Sequence, residues 1–423
     1  MAGLVRRRTI AVVATLSLGI AACRRGPASS GDPYKDAVQR SIASVEKGVG
    51  LKFRTPPKYE ARTREQIHQF VEAEFARSDE ARDLAGRTSA YKRLGMLPDT
   101  LDAKALFSAL LGEQIAGLYD PKTKTFYFVK DSPPEQVGIV ASHELVHALQ
   151  DQYLNIDSID ASGADDDRLA AAHALLEGQA TFNMVGGQNL AAMLSAGWDR
   201  VRDAIREEHA SAPVFSAAPR VIQEELLFPY LNGAEFVRRS RDHAPQADVL
   251  KDLPQSTEQV LHDAAFFGTR DVPTTVTLPA TPGGAAISFQ NTLGEFSTRL
   301  FLFQQSKNAA DAARAAAGWD GDRYAVISTA GGEGLVWASV WDSPVDAEEF
   351  LTAATEAAAS RYGVPVPASE PGAARTLHPN GRTITVSTSL VAGRPVVVYA
   401  DVPGGQPLSL APSAIALHED AAR

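Results

Sequence analysis

The chain has 423 residues and an acidic balance, with a formal net charge of −10 at pH 7. No cluster of basic residues follows the N-terminal segment, so the composition argues against a nucleic-acid partner. The length is sufficient for two domains with separate cores, and no later apolar run approaches the length of a membrane span.

The first 22 residues have the pattern of an export signal. Arg6–Arg8 supply positive charge, Thr9–Gly19 is apolar, and small residues precede Cys23, the only cysteine in the chain. This pattern resembles a bacterial lipobox, which implies cleavage before Cys23 and a lipid on its thiol; an ordinary secretory signal is the alternative. Residues 23–32 would then be a flexible tether. We therefore expect an exported protein, anchored by lipid to a membrane of the cell envelope.

The next segment, 33–268, is expected to form a mainly helical domain. Apolar residues recur at helical spacing between Pro33 and Leu110. From Gln114 to Val129 the pattern changes to two apolar strands joined by a turn at Asp120–Lys124, which predicts a β-hairpin. We expect the edge of this hairpin to pair with an extended peptide substrate, or else to belong to an ordinary small sheet.

The sequence His143-Glu144-Leu145-Val146-His147 contains the pattern H-E-x-x-H. On a helix this spacing places both imidazoles on one face, where they can share a metal ion, and lets Glu144 reach a metal-bound water. Ser132 as an N-cap residue, followed by proline, predicts the start of that helix. Apolar residues surround the motif on nearly all sides, so the helix should be buried, where unpaired polar groups are unfavourable.

A catalytic zinc site needs a third protein ligand, and Glu177 is our candidate. It lies within a predicted helix, Leu169–Val185, in the middle of an apolar run. Gly178 beside it is unfavourable in a helix interior, which close approach of the two metal-binding helices would explain. His173, one turn earlier, is an alternative ligand, a residue that supports a ligand, or simply part of the packing.

These motifs resemble those of the gluzincin metallopeptidases, which combine H-E-x-x-H with a Glu-Gly-x-Ala segment. A closer resemblance is to a group of bacterial and archaeal metallopeptidase-like lipoproteins, through segments 119–125, 143–152, 175–181 and 256–262. The resemblance implies a zincin-like domain in which His143, His147 and Glu177 bind Zn²⁺ and Glu144 is the general base. The sequence departs from thermolysin-like gluzincins at Thr181, where an aspartate often braces a histidine, and in the long interval between His147 and Glu177.

Further candidates are less strongly marked. Asp151 follows His147 by one turn, so it is expected either to hydrogen-bond a ligand imidazole or to lie at a solvated helix end. Gluzincins stabilise the oxyanion with a downstream tyrosine or histidine, which implies Tyr230 or His262 here; a structural role is the alternative for each. Glu224 and Glu225 have carboxylate side chains that could bind a metal ion. The apolar residues next to them in the sequence indicate ordinary helix packing instead.

The remaining chain divides into smaller units. Helices are predicted at Trp198–His209 and Arg220–Arg241, with a break in the second near Pro229. Residues 269–402 alternate between strands and helices, which indicates a smaller α+β accessory domain. Within it, the segment from Gly318 to Asp322 lacks the further ligands of a calcium loop and is predicted to be a turn. Residues 403–423 are expected to be a disordered tail.

The sequence therefore predicts an α+β protein with a zinc metallopeptidase domain acting on a peptide or protein substrate. In this hypothesis Glu144 accepts a proton from the attacking water and passes it to the leaving amine. The alternative is an envelope binding or assembly lipoprotein whose metal site is structural or vestigial.

Overall fold

The computed structural model of the protein describes residues 11–14, 31–75, 78–130, 132–160, 162–186, 212–245, 247–368, 373–405, 408 and 410–419. Most of the predicted signal segment, the predicted lipidation site Cys23 and the predicted helix Trp198–His209 lie outside these residues. The described chain is an α+β protein, with helices concentrated in the first two-thirds and a large sheet in the last third.

The helices of the N-terminal two-thirds carry the candidate site. They are α1 (Pro33–Val49), α2 (Arg64–Phe75), α3 (Ser78–Arg93), α4 (Ala103–Gln114), α5 (Pro134–Leu154), α6 (Ile156–Asp160), α7 (Asp166–Val185), α8 (Pro213–Ala217), α9 (Arg220–His243), α10 (Thr257–Leu261) and α11 (Asp263–Phe267). No described helix is long and apolar enough to cross a membrane.

A small sheet lies beside α5. Its strands are β1 (Ala11–Ala14), β2 (Lys58–Arg62), β3 (Ile115–Asp120) and β4 (Thr125–Val129), in the order β1-β3-β4-β2. The predicted hairpin is confirmed, since β3 and β4 pair antiparallel. Strand β2 was not expected; it pairs parallel to β4. Strand β1 pairs antiparallel with β3, so residues predicted to be an apolar signal segment occupy that edge.

Helix α5 packs between this sheet and α1. Its apolar side chains, among them Val140 and Leu145, share one core with Val38 of α1 and with Phe126 and Phe128 of β4. The helix is buried as predicted, but its start differs from the expected one. Pro133 is the N-cap residue, and the Ser132 hydroxyl donates to the Val129 carbonyl instead of capping the helix.

Helix α7 is confirmed but begins at Asp166, three residues before the predicted start at Leu169, where the Asp165 carboxylate caps it by accepting a hydrogen bond from the Arg168 amide. The role of Gly178 was predicted with the wrong partner. It faces α9 rather than α5: a Cβ at Gly178 would lie 2.1 Å from the Gly233 carbonyl carbon. A Cβ at Gly233 would in turn lie 1.9 Å from the Ala174 carbonyl oxygen. Two glycines therefore allow the backbones of α7 and α9 to touch.

Helix α9 runs without interruption from Arg220 to His243, so the predicted break near Pro229 is wrong. Proline removes one amide donor from the helix, but the buried apolar side chains on both sides, including Phe228 and Leu231, hold the two halves in one packing arrangement.

The last third of the chain forms an antiparallel sheet with helices on one face. Its elements are β5 (Thr274–Thr277), β6 (Ala286–Asn291), α12 (Gly294–Ser306), α13 (Ala309–Ala316), β7 (Trp319–Thr329), β8 (Gly332–Trp341), α14 (Pro344–Tyr362), β9 (Arg375–Leu377), β10 (Arg382–Val391), β11 (Arg394–Pro403) and β12 (Ala416–Glu419). Among the described residues the main sheet has six strands in the order β6-β7-β8-β11-β10-β9. Alternation along β8 places Trp337 against the helices and Val336 against β5 on the opposite face.

Two expectations for this region are wrong. Ala416–Glu419 is not part of a disordered tail, because it pairs antiparallel with β5. Asp320 and Asp322 lie in strand β7 rather than in a turn. The Asp322 carboxylate accepts hydrogen bonds from the Leu293 and Gly294 amides, and Asp320 accepts one from Thr274, so the fold uses both acidic groups.

Candidate metal centre

Three predicted ligands converge at the contact between α5 and α7. His143 and His147 share one face of α5, with their Nε2 atoms 3.1 Å apart. Glu177 on α7 places Oε2 3.1 Å from His143 Nε2 and 3.3 Å from His147 Nε2. All three side chains are buried. The helical spacing predicted from the sequence therefore produces one compact group of donor atoms.

The separations fit a tetrahedral ion. Two donors that each lie about 2.0–2.1 Å from a tetrahedral zinc ion are about 3.3 Å from each other. In the described part of the chain, no fourth histidine, cysteine or carboxylate joins the group. Two imidazoles and one carboxylate that leave a coordination position open are the donor set of a catalytic rather than a structural zinc site.

The charges within the group are strongly coupled. Burial alone would raise the pKa of Glu177, but the two histidines hold it well below its usual value. Burial would likewise lower the pKa of His147, but the charge of Glu177 raises it to about 9. Burial dominates at His143 and lowers its pKa. A proton on His147 thus balances the Glu177 carboxylate, and a cation among the three donor atoms would replace that proton.

Glu144 lies beside this group and is fully buried. Neither of its carboxylate oxygens has a hydrogen-bond partner among the described residues, and the same holds for His143 Nδ1. Burial raises the pKa of Glu144 well above its usual value, while His147 opposes that shift. A buried carboxyl group without partners is unfavourable unless it serves a bound molecule, so these orphaned atoms fit a site that holds a metal ion and a reactive water.

The residue that orients His147 was not predicted. His147 Nδ1 lies 2.9 Å from the Oε1 atom of Gln150. The amide nitrogen of Gln150 donates in turn to the Leu176 carbonyl and to Gln179 Oε1, at 3.0 Å each. Gln150 therefore joins the imidazole on α5 to the backbone of α7. The spacing of three residues from His147 on one helix face is the signal in the sequence that could have identified it.

The expectation that Asp151 supports a ligand imidazole is wrong. Its carboxylate accepts a hydrogen bond from the Tyr119 hydroxyl at 2.7 Å and pairs with Lys124 Nζ at 2.7 Å. It also accepts from the Ile156 amide at 3.0 Å. Asp151 therefore fastens the end of α5 to the β3–β4 hairpin, and its carboxylate contacts these partners instead of a ligand imidazole.

Of the two oxyanion candidates, the structure brings only Tyr230 to the centre. Its buried ring lies 6.1 Å from the His143 ring, centroid to centroid. Burial, and then the charges of Glu177 and Glu144, raise the pKa of Tyr230 well above its usual value, so its hydroxyl remains a donor. His262 is placed elsewhere: its Nε2 atom lies 2.9 Å from Glu295 Oε1, which corrects the expectation for this residue.

The remaining carboxylate and histidine candidates also lie outside the ligand group. Glu225 accepts a hydrogen bond from the Tyr91 hydroxyl at 2.5 Å, and Glu224 pairs with Arg220 at 2.8 Å. His173 is buried on α7 but contributes no donor atom to the group formed by His143, His147 and Glu177.

Comparison with known proteins covers a different part of the chain. A family model described as a domain of unknown function (DUF8575) matches residues 285–402. This range extends from the start of β6 to the end of β11 and does not include the candidate metal centre. No curated protein and no solved structure matches the chain.

Proposed function

We propose that the protein is a zinc-dependent metallopeptidase of the gluzincin type. The observation that carries the proposal is the group of His143, His147 and Glu177 donor atoms at 3.1–3.3 Å, next to a buried Glu144 whose oxygens have no described partner. An accessory or binding role would require neither a general base beside the ligands nor an open coordination position.

In this proposal His143, His147 and Glu177 would hold a zinc ion, which would supply Lewis-acid polarisation of the scissile carbonyl and a bound water with a pKa of about 7. Glu144 accepts the proton of the attacking water and then delivers it to the leaving amine. The Tyr230 hydroxyl donates to the oxygen on which negative charge develops.

The small sheet supports a peptide as the substrate class. Strand β3 runs beside α5, and a Cβ at Gly117 of β3 would lie 2.6 Å from a methyl carbon of Val140. Residues 11–14 occupy this edge by antiparallel pairing with β3, and cleavage before Cys23 would remove them and leave the edge open to another extended backbone. A peptide bound in the same way would pass beside the metal-binding helix, held by main-chain hydrogen bonds.

We also propose that a lipid anchors the enzyme to a membrane of the cell envelope. Cleavage before Cys23 and a lipid on its thiol would hold the metallopeptidase domain close to a membrane of the cell envelope, through the short segment that ends at Asp32. The Asp32 carboxylate caps α1 by accepting hydrogen bonds from the Tyr34 and Lys35 amides, so the domain begins directly after that segment.

The first experiment is a measurement of metal content by mass spectrometry on the purified form that begins at Arg24. Wild type should hold about one zinc per chain, and Glu177→Ala should hold much less because one of three ligands is lost. Glu349→Ala, which removes an exposed carboxylate from α14, is the matched control and should keep its zinc. Wild type that takes up no zinc from solution would favour the envelope binding or assembly role.

A peptide-library assay then separates a catalytic from a structural site. Glu144→Gln keeps the size of the side chain and removes the base, so zinc should remain while turnover falls about 10²–10⁴-fold. His147→Ala should lose both zinc and turnover. Equal turnover of wild type and Glu144→Gln would rule out the mechanism, whatever the metal content.

A further inference from the structure

A second group of acidic side chains lies where the helical region meets the large sheet. Glu258 belongs to α10, Asp271 precedes β5, and Asp342 follows β8. One carboxylate oxygen of each lies within 4.8 Å of the others. The three residues come from separate segments, so the fold, rather than a local run of acidic sequence, brings them together.

Glu258 is the unusual member of this group. Its side chain is only 4% exposed, and its Oε2 atom has no hydrogen-bond partner among the described residues. Asp271 is half-buried and Asp342 is exposed. The group therefore extends from a buried carboxylate to one that is exposed to solvent.

The charges nearest Glu258 are negative. Glu295 and Asp320 add to those of Asp271 and Asp342, and burial followed by these neighbours raises the pKa of Glu258 to about 10. The nearby cations have ion-pair partners of their own: Arg299 pairs with Glu295, and Arg394 pairs with Asp320. Burial also raises the pKa values of Asp271 and Asp342, and Arg394 opposes that shift at both without pairing with either. A carboxylate kept without its own cation in such a place is unfavourable unless a positive ligand binds there.

We propose that Glu258, Asp271 and Asp342 form a second metal site, distinct from the zinc centre, that takes a hard divalent cation such as calcium. Calcium binds oxygen ligands at about 2.3–2.6 Å, so two ligand oxygens on opposite sides of the ion lie about 4.6–5.2 Å apart. Separations within 4.8 Å are therefore compatible with three oxygens that share one such ion. Water would complete the coordination on the open side, and a donor set of oxygen alone does not favour zinc.

The position of the site predicts that a bound ion would stabilise the fold. It would join α10 to the segments before β5 and after β8. Thr257, the neighbour of Glu258, donates from its amide and its hydroxyl to the Asp167 carboxylate at the start of α7. Calcium would thus fasten the large sheet to the helix that carries Glu177, and the folded state should gain stability with calcium concentration.

The test is a calorimetric titration of the full chain with calcium chloride, with zinc left in place, together with thermal unfolding at several calcium concentrations. Wild type should bind one calcium per chain and unfold at a higher temperature as calcium rises. Glu258→Gln and Asp342→Asn should each weaken binding at least about tenfold, because each removes one of three charged ligands. Glu349→Gln, an exposed charge change of the same kind, should bind as wild type.

Either of two results would overturn the proposal. One is the absence of binding heat and of any thermal shift up to about 10 mM calcium, which is beyond the weakest range of protein calcium modules. The other is unchanged affinity in both ligand variants. Asp342→Asn alters an exposed side chain, so it decides the question even if Glu258→Gln does not fold. Because peptidase activity is not the measurement, failure here leaves the proposed function standing.

Discussion

His147 Nδ1 lies 2.9 Å from Gln150 Oε1, and this contact determines which nitrogen of the imidazole faces the other ligands. The amide nitrogen of Gln150 is committed to Leu176 and Gln179, so its oxygen must accept from His147. When a cation replaces the proton that balances Glu177, the ring is neutral, its remaining proton lies on Nδ1, and the Nε2 lone pair points toward His143 and Glu177. This tautomer is the one that metal binding requires.

Replacement of Gln150 by alanine should weaken zinc binding about 10–100-fold, because the imidazole loses the partner that fixes its orientation. Competition with a chelator measures the change in the dissociation constant. Gln152→Ala is the matched control on the same helix, since its amide contacts the backbone of Arg54 and Thr55 instead. An unchanged zinc affinity in Gln150→Ala would contradict the assigned role.

Tyr230→Phe should lower kcat about 10²–10³-fold with little change in zinc content, because only the oxyanion donor is removed. Steady-state kinetics on a peptide substrate, with metal analysis of the same sample, measures both. The companion variant is His262→Gln. The His262 ring pairs with Glu295 rather than with the ligands, so kcat should stay near the wild-type value. A larger loss of kcat in His262→Gln than in Tyr230→Phe would reverse the assignment.

The parts of the site that the sequence predicts are those set by one helix. His143, Glu144 and His147 are held together by the 3.6-residue repeat, and Glu177 is identifiable because a carboxylate within an apolar helix needs a partner. The contacts of Gln150 and Asp151 depend on how α5 crosses α7 and the hairpin, which local spacing does not determine. For the same reason Gly178 was assigned the wrong neighbouring helix.

In the fold, too, some elements are predictable from local sequence and others depend on tertiary contacts. The succession of strands and helices over residues 269–402 is predicted from the sequence, whereas the exposed pattern of β2 carries little signal, and its place depends on pairing with β4. Pro229 indicates a break by local rules, but tertiary packing keeps α9 continuous. Ala416–Glu419 has the composition of a tail and becomes ordered only by pairing with β5, which lies far away in the sequence.

Gly178→Ala should destabilise the protein by about 3 kcal/mol or more, because the new Cβ meets the backbone of Gly233 at 2.1 Å and neither helix can yield locally. Denaturant unfolding measures the free energy. In Gly138→Ala, on α5, a Cβ would meet nothing within 4 Å. That control should gain up to about 1 kcal/mol from helix propensity. Equal stabilities of the two variants would show that the close helix contact is unimportant.

Glu225→Gln should become more stable than wild type as the pH rises. Burial raises the pKa of Glu225 from 4.5 to about 7, so the folded state binds more protons than the unfolded state between these values. Wild-type stability therefore falls as the pH increases through this window. The variant keeps an acceptor for Tyr91 and lacks the charge.

The advantage of Glu225→Gln should be absent below about pH 4.5 and reach at most about 3 kcal/mol above pH 7, the free energy equivalent to that pKa change. Urea unfolding at a series of pH values provides the test, with the exposed Glu349→Gln as the control. A difference between wild type and Glu225→Gln that does not vary with pH would show that the carboxylate ionises freely in the folded protein.

The pairing of β5 with β12 has a practical consequence for dividing the chain. Residues 285–402, the range of the matching family model, exclude both strands, yet β5 covers one face of the large sheet, and Thr274 donates to the buried Asp320. A fragment cut at these limits would expose that apolar face to water and remove the hydrogen-bond partner of Asp320. A fragment designed to contain this sheet should therefore extend from about residue 273 to residue 419.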